Sequence, residues 1–354
     1  MAPLTLTSLS HIPTSFATCS LSPSTDLPLP DILHAISSAS FTAIELSFPN
    51  LIHHASALHS RPVPADDYDA LCLAASDIAR LCASLSLEII LLQPFANFEG
   101  WAPGSPERDE AFARAKGWIR IMVACGCSTL QVGSTDTPVE KIDVARDAVV
   151  RDLRALADLL AEQGLRMAYE NWCWSSHAPG WREVWEIVKE VDRGNVGLCL
   201  DTFQSAGGEW GDPTTGDGVL RGDREGVEAR FRRSMEDLAR EVPAEKIYLL
   251  QISDAYRMEK PLEDKVVDGL RPRGRWSHDY RPLPGTGEGY LPCKEVARAV
   301  LKTGFRGWWS YEVFDSPEWK VKEDEKNGGR DLVAFAKKAR TAHEAFLKEC
   351  ADEA

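Results

Sequence analysis

The chain has 354 residues, 44% of them hydrophobic and 27% charged, the balance of a soluble globular protein of one barrel-sized domain or two ordinary ones. Against 54 acidic residues stand 40 basic ones, a formal charge of −14, which argues against a nucleic-acid partner held on a basic face. The 9 cysteines are scattered, with only Cys125-Gly-Cys127 close-spaced; without a CxxC pair they argue against a zinc ribbon or a disulfide framework and fit a reduced, cytoplasmic compartment.

The N-terminus is rich in Ser, Thr and Pro, yet no Lys or Arg precedes Arg61, so neither a secretory nor a mitochondrial leader is expected. No apolar run reaches the roughly 18 residues of a membrane span, so no membrane partner is expected. Alternation in Leu4-Thr-Leu-Thr-Ser8 predicts a strand almost at the start, then a polar, proline-containing loop and a short helix over 29–39. A second strand is expected over 41–48, stopped by Pro49. Leu71, Ala74, Ile78 and Leu81 recur at helical spacing within 66–85. The third strand, 87–94, is ended by its proline.

Ser105-Pro-Glu-Arg is a helix start with Pro at the first position, and that helix runs to 124 before a fourth strand over 128–133. A long helix over 139–163 stops at Gly164. The fifth strand is Arg166-Met-Ala-Tyr-Glu-Asn-Trp172, and after a helix over 181–192 the sixth is Asn195-Val-Gly-Leu-Cys-Leu-Asp201. Beyond a helix over 225–241, Lys246-Ile-Tyr-Leu-Leu-Gln251 forms the seventh. A connection at about 253–291 shows little periodicity, and loops of that length in a compact domain are usually functional. A helix over 292–303, an eighth strand over 307–314 and a closing helix over 331–348 complete the chain.

Eight strands alternating with helices, without a second composition class, predict one α/β domain over 1–354, a (β/α)₈ barrel. The runner-up is an open doubly wound sheet, but no GxGxxG follows the first strand. Gly285-Thr-Gly-Glu-Gly289 fits a loop needing backbone freedom better than a phosphate grip.

Four strands end in an oxygen-bearing side chain: Glu170, Asp201, Gln251 and Glu312. The C-terminal ends of barrel strands are where this architecture puts its ligands. Any one of these residues alone fits a helix cap or an ion pair. Together, three carboxylates and an amide oxygen make a hard donor set for one divalent cation, Mg²⁺, Mn²⁺ or Co²⁺ rather than Zn²⁺. His53-His54 looks like a metal pair, but adjacent residues do not readily face one ligand.

The blocks Tyr169-Glu-Asn-Trp-Cys-Trp-Ser175 and Asp192 to Phe203, with Gly207 and Asp212-Pro213, resemble the fungal 3-dehydroshikimate dehydratases. These belong to the xylose-isomerase-like, sugar-phosphate isomerase/epimerase group of TIM barrels. Leu92-Gln-Pro-Phe95, Trp276-Ser-His-Asp-Tyr-Arg281, Gly289-Tyr-Leu-Pro292 and Glu312-Val-Phe314 add to the likeness, which is weakest before Ala43 and after Phe314.

The resemblance implies a metal-dependent lyase that binds its cation through Glu170, Asp201, Gln251 and Glu312. Its substrate is a small hydroxy-ketone carboxylate, 3-dehydroshikimate, converted to protocatechuate in quinate and shikimate catabolism. It also implies a substrate-carboxylate grip by Arg281 with Ser277. Some relatives carry histidine where this chain has Gln204 and Trp172. Gln204 is then expected to meet substrate, and the proton falls to Glu170, Glu312, His177 or His278, with His177 preferred to His278. Trp172, Trp174, Trp210 and Trp276 lie on or near the expected mouth, where they fit either ring stacking or loop packing.

A sugar or keto-sugar isomerase/epimerase would use the same metal–enolate chemistry but has no carboxylate for Arg281 to hold. A barrel that only binds would show a broken ligand set. An abasic-site endonuclease would show more histidine ligands and a basic face. The sequence leaves open the metal, the base and pairing with a second copy into a homo-oligomer.

Overall fold

The computed structural model describes residues 3–21, 27–317 and 331–352. Eight parallel strands close into a ring: β1 (Thr14–Ala17), β2 (Ala43–Ser47), β3 (Glu88–Phe95), β4 (Thr129–Gly133), β5 (Arg166–Glu170), β6 (Val196–Asp201), β7 (Ile247–Ile252) and β9 (Trp309–Tyr311), which pairs with both β7 and β1. Between the last two, the short β8 (Tyr280–Arg281) lies outside the ring and pairs antiparallel with β10 (Phe314–Asp315). The helices are α1 (Leu6–Leu9), α2 (Leu29–Ser38), α3 (Phe48–His59), α4 (Tyr68–Ser84), α5 (Pro106–Cys125), α6 (Arg146–Ala161), α7 (Trp181–Val191), α8 (Thr202–Glu209), α9 (Arg224–Glu241), α10 (Pro272–Asp279), α11 (Cys293–Lys302) and α12 (Leu332–Cys350). Among the described residues no helix is long and apolar enough to cross a membrane.

The two-residue period of a strand sorts side chains into a layer between ring and helices and a layer inside the ring. Ala43, Ala168, Cys199 and Leu249 form part of a small apolar cluster of their own, while Ile44, Leu198, Leu200 and Leu250 join the large outer cluster packed under the helices. Two residues further along, the inward positions become Glu45, Glu170, Asp201 and Gln251. An apolar floor thus lies beneath a polar layer.

Capping signals in the sequence set helix ends as expected where they are strong. Ser105 accepts from the Arg108 amide at 3.2 Å, Pro106 opens α5, and Gly126 closes it in the left-handed region at φ 72°.

Several expected boundaries differ. Leu4–Ser8 is not a strand: Thr5 caps α1 through the Ser8 amide, and the ring's first strand is the fully buried Thr14–Ala17. Alternating Leu and Thr is compatible with one capped helical turn, and burial decides between the two. The proline-containing loop falls partly on residues 22–26, outside the described residues. Pro49 starts α3 rather than merely stopping β2, and β3 continues through Pro94 to Phe95. The helix expected from 139 begins at Arg146, because the preceding turn is spent on hydrogen bonds such as Asp143 N to Gly100 O at 2.7 Å. The connection at 253–291 contains α10 and β8, and the last ring strand is only Trp309–Tyr311. Asp254 and Tyr256 amides bond Pro282 and Tyr280 carbonyls at 3.1 and 3.0 Å, folding that connection onto the rim.

Candidate active site

Neighbouring strands in register bring the expected residues to one end of the ring. Glu170 faces Cys199 across the β5–β6 ladder, Asp201 faces Gln251 across β6–β7, and Gln251 faces Ser310 across β7–β9. Glu312 follows β9 directly. Oxygen atoms of Glu170, Asp201 and Glu312 lie within 4.8 Å of one another. All three residues are buried. Burial, then the charges of Glu312 and Asp201, push the Glu170 carboxyl well above its ordinary range. Burial also raises Asp201 and Glu312, opposed in both by the Arg281 charge.

Each carboxylate is held differently. Asp201 Oδ1 caps α8, accepting from the Phe203 amide at 2.6 Å and the Gln204 amide at 3.4 Å. Its Oδ2 takes the Arg281 Nη2. The cap and the site are therefore one residue's two oxygens. Glu312 accepts from Gln93 Nε2 and from Arg281 Nη1, both at 3.0 Å. Glu170 Oε2 accepts from Gln131 Nε2 and, at 3.3 Å, from the Trp172 indole, while its Oε1 is buried without a partner.

Gln251 Nε2 donates to Glu45 Oε2 at 2.9 Å, leaving its Oε1 with only a 3.4 Å contact from the Cys199 thiol. Burial first, then the Glu312 charge, pushes Glu45 up to about 8. Glu45, Gln93 and Gln131 were not expected from the sequence. The available signal was a large polar side chain within a buried stretch of each of three strands.

Above this layer lies a cavity of about 280 Å³ lined by Glu170, Glu312, Arg281, Ser277, Gln204 and His278, with Trp172, Trp174 and Phe314 among its walls. The indoles of Trp172 and Trp174 stack at 5.2 Å. Gly133 makes room for the first, since a Cβ there would stand 2.2 Å from its ring. Trp210 and Trp276 do not line the cavity; Trp276 packs on Phe203, and both pack on Tyr290.

Arg281 reaches the cavity almost fully buried, yet its N–H groups are directed at Ser253, Ser277, Asp201 and Glu312 rather than left free as a fork. Gln204 Oε1 accepts from the Cys173 amide at 2.9 Å. His177 is not brought to the cavity; its Nε2 meets Glu99 Oε1 at 3.0 Å. His278 stands at the mouth, its ring edge-on to Trp174 at 6.3 Å. His54 pairs with Asp77 at 2.8 Å, on α3 and away from this end.

The donor set fits a divalent cation. Three carboxyl groups share one guanidinium, and Glu170 Oε1 is an acceptor without a donor. A buried polar atom in that condition is costly unless something binds it.

A closed parallel barrel whose strand ends gather acidic side chains under a cavity defines an enzyme of the α/β-barrel class. The chain belongs to the xylose isomerase-like TIM barrel family, whose model matches residues 33–339, and within it to the 3-dehydroshikimate dehydratases. A Neurospora crassa protein of that name is 34% identical over 285 residues, spanning 78% of each chain. A Pseudomonas aeruginosa protein of the same name is 32% identical over 85% of this chain, which spans only 38% of that longer protein. Among solved structures, the IOLI protein with a binding zinc atom superposes with a TM-score of 0.64 at 18% identity, covering 94% of this chain and 98% of that one.

Proposed function

We propose that the protein is a carbon–oxygen lyase that removes water from 3-dehydroshikimate to give protocatechuate. The 34% identity to the Neurospora crassa dehydratase supports the substrate. The observation that carries the chemistry is the buried convergence of Glu170, Asp201 and Glu312 with Arg281 beneath a cavity.

The reaction breaks a C–H bond next to a ring ketone and a C–O bond one carbon further, and forms a C=C bond. The proton and the departing hydroxide leave as water, and a proton shift from the remaining ring CH₂ to the ketone oxygen makes the ring aromatic. A divalent cation held by Glu170, Asp201, Gln251 and Glu312 would act as a Lewis acid on the ketone oxygen and acidify the adjacent C–H. The all-oxygen donors favour Mg²⁺, Mn²⁺ or Co²⁺.

The protein's own groups do the rest. Glu170 and Glu312 both line the cavity. Of these carboxyl groups, Glu170 suits the base that takes the proton. Glu312 and the mouth-standing His278 lie on the same cavity and supply the groups to assist the leaving hydroxyl. Arg281, its N–H groups held by protein partners, would offer the substrate carboxylate a buried positive charge and Ser277 a hydroxyl, with Gln204 on the same cavity. Trp172 and Trp174 present stacked indoles to a flat ring.

The test is direct. Purified protein with Mg²⁺ or Mn²⁺ converts 3-dehydroshikimate to a product with the ultraviolet absorbance of a dihydroxybenzoate, and a chelator stops it. No aromatic product, together with interconversion of ketoses, would replace this reading with an isomerase.

A further inference from the structure

We propose that Glu99 and His177 form a latch that sets the tryptophan wall of the cavity, so that His177 is a positioning residue for the reaction rather than its base. The functional part of this inference rests on the dehydratase reading; the latch itself does not.

Glu99 lies in the loop after β3 and has no exposed surface. Its Oε1 accepts from the Thr135 amide at 2.8 Å and the Tyr169 hydroxyl at 2.9 Å, and His177 Nε2 stands 3.0 Å from it. With Oε1 already the acceptor for the other two donors, the tautomer that fits this arrangement carries its proton on Nε2. The donors come from the loop after β4, from β5, and from the loop after β5. One oxygen atom therefore ties three successive connections on the rim together.

The loop that His177 anchors carries Trp172 and Trp174. Its backbone is fixed to the preceding connection, with the Ser176 amide bonded to Thr135 O at 2.9 Å and the Ser176 hydroxyl to Thr137 O at 2.6 Å. Arg271, at the start of α10, donates to Trp174 O at 2.6 Å from the other side. The Trp172 indole in turn donates to Glu170. Displacement at Glu99 therefore reaches both the ring-stacking surface and a carboxylate of the site.

Geometry separates positioning from proton transfer. His177 does not line the cavity, and a base must stand within hydrogen-bond reach of the proton it takes, or within reach through one water. A buried carboxylate is also a poor choice for simple packing, because its unpaired Oε2 costs free energy that an apolar side chain would not.

The experiment compares His177→Leu, His177→Gln and Glu99→Gln with the wild type in the metal-loaded enzyme. It reads steady-state constants together with hydrogen–deuterium exchange of the peptide at 171–178. With the latch, His177→Leu and Glu99→Gln raise KM about tenfold, the scale of one lost charge-assisted bond. They leave kcat within about threefold and speed exchange in that peptide. His177→Gln, whose amide N–H replaces the Nε2 donor, restores both readouts toward wild type.

Loss of about 10²–10⁴-fold in kcat for both His177 variants, with KM and exchange unchanged, would make His177 the base and overturn the latch. Unchanged KM and exchange in His177→Leu would equally overturn it. If the wild type shows no dehydration at all, the dehydratase reading fails, and exchange alone decides the latch: faster exchange in His177→Leu, reversed in His177→Gln, upholds it.

Discussion

His343 offers a sharp test of how burial sets the protein's acid stability. It lies on α12, buried against β9, with Nδ1 2.9 Å from the Tyr311 hydroxyl and its ring edge-on to Trp309 and Tyr311. Burial, and then the Arg340 charge one turn earlier, lower it from 6.5 to about 4. Because the folded-state value lies below the unfolded one, the contribution is fully present above pH 6.5 and is lost as pH falls toward 4. Each pH unit in that window is about 1.4 kcal/mol, so the whole fall amounts to about 3 kcal/mol.

Asn at this position keeps a polar atom near Nδ1 but cannot titrate. Urea unfolding from pH 4 to 8 would be followed for the wild type and His343→Asn, since other carboxyl groups titrate in both. Asn should cost stability above pH 6.5 through lost packing, and its deficit should shrink by about 3 kcal/mol on acidification. Parallel curves across the whole range would show that His343 is not buried neutral, and would refute the reasoning.

The site yields three further expectations. Arg281→Met leaves Asp201 and Glu312 without their buried partner and should cost about 3–5 kcal/mol in metal-free unfolding experiments; a change below about 1 kcal/mol would show the pair to be well solvated. Glu312→Gln removes one of the three clustered carboxylates and, if they hold the cation as proposed, should weaken Mn²⁺ binding by calorimetry at least about tenfold, with turnover falling alongside. Gly133→Ala places a Cβ where the Trp172 ring stands, so it should cost about 1–3 kcal/mol and reduce the near-ultraviolet dichroism of the stacked indoles; an unaltered spectrum would mean the ring has room to spare.

The sequence made the polar layer legible because each of its main members ends an apolar strand. Glu170, Asp201 and Gln251 sit at the last or next-to-last position of β5, β6 and β7, where alternation and termination coincide. Glu45 escaped notice for the opposite reason: it lies mid-strand in Ala43-Ile-Glu-Leu-Ser47, with residues on both sides buried. An interior carboxylate carries no terminal signal, and only the closed ring reveals that it faces Gln251. His177 was chosen by residue type and loop position, and the contact with Glu99, 78 positions away, is invisible to local pattern. Alternation also misplaced the first strand, since a capped helical turn at Leu6–Leu9 and a strand share the same few apolar positions.

The small ribbon of β8 and β10 has a mechanical consequence. Arg281 pairs with Phe314 across it, and Phe314 follows Glu312 by two residues, so one ribbon delivers both a cation and an anion of the site. Ser316 and Tyr256 fasten the same ribbon through Asp279 and Asp315, at 2.9 and 3.0 Å. Peeling it back would strip Arg281 from Asp201 and Glu312 together and leave the carboxylates facing one another unscreened. The ribbon is thus a clasp held by the charges it carries.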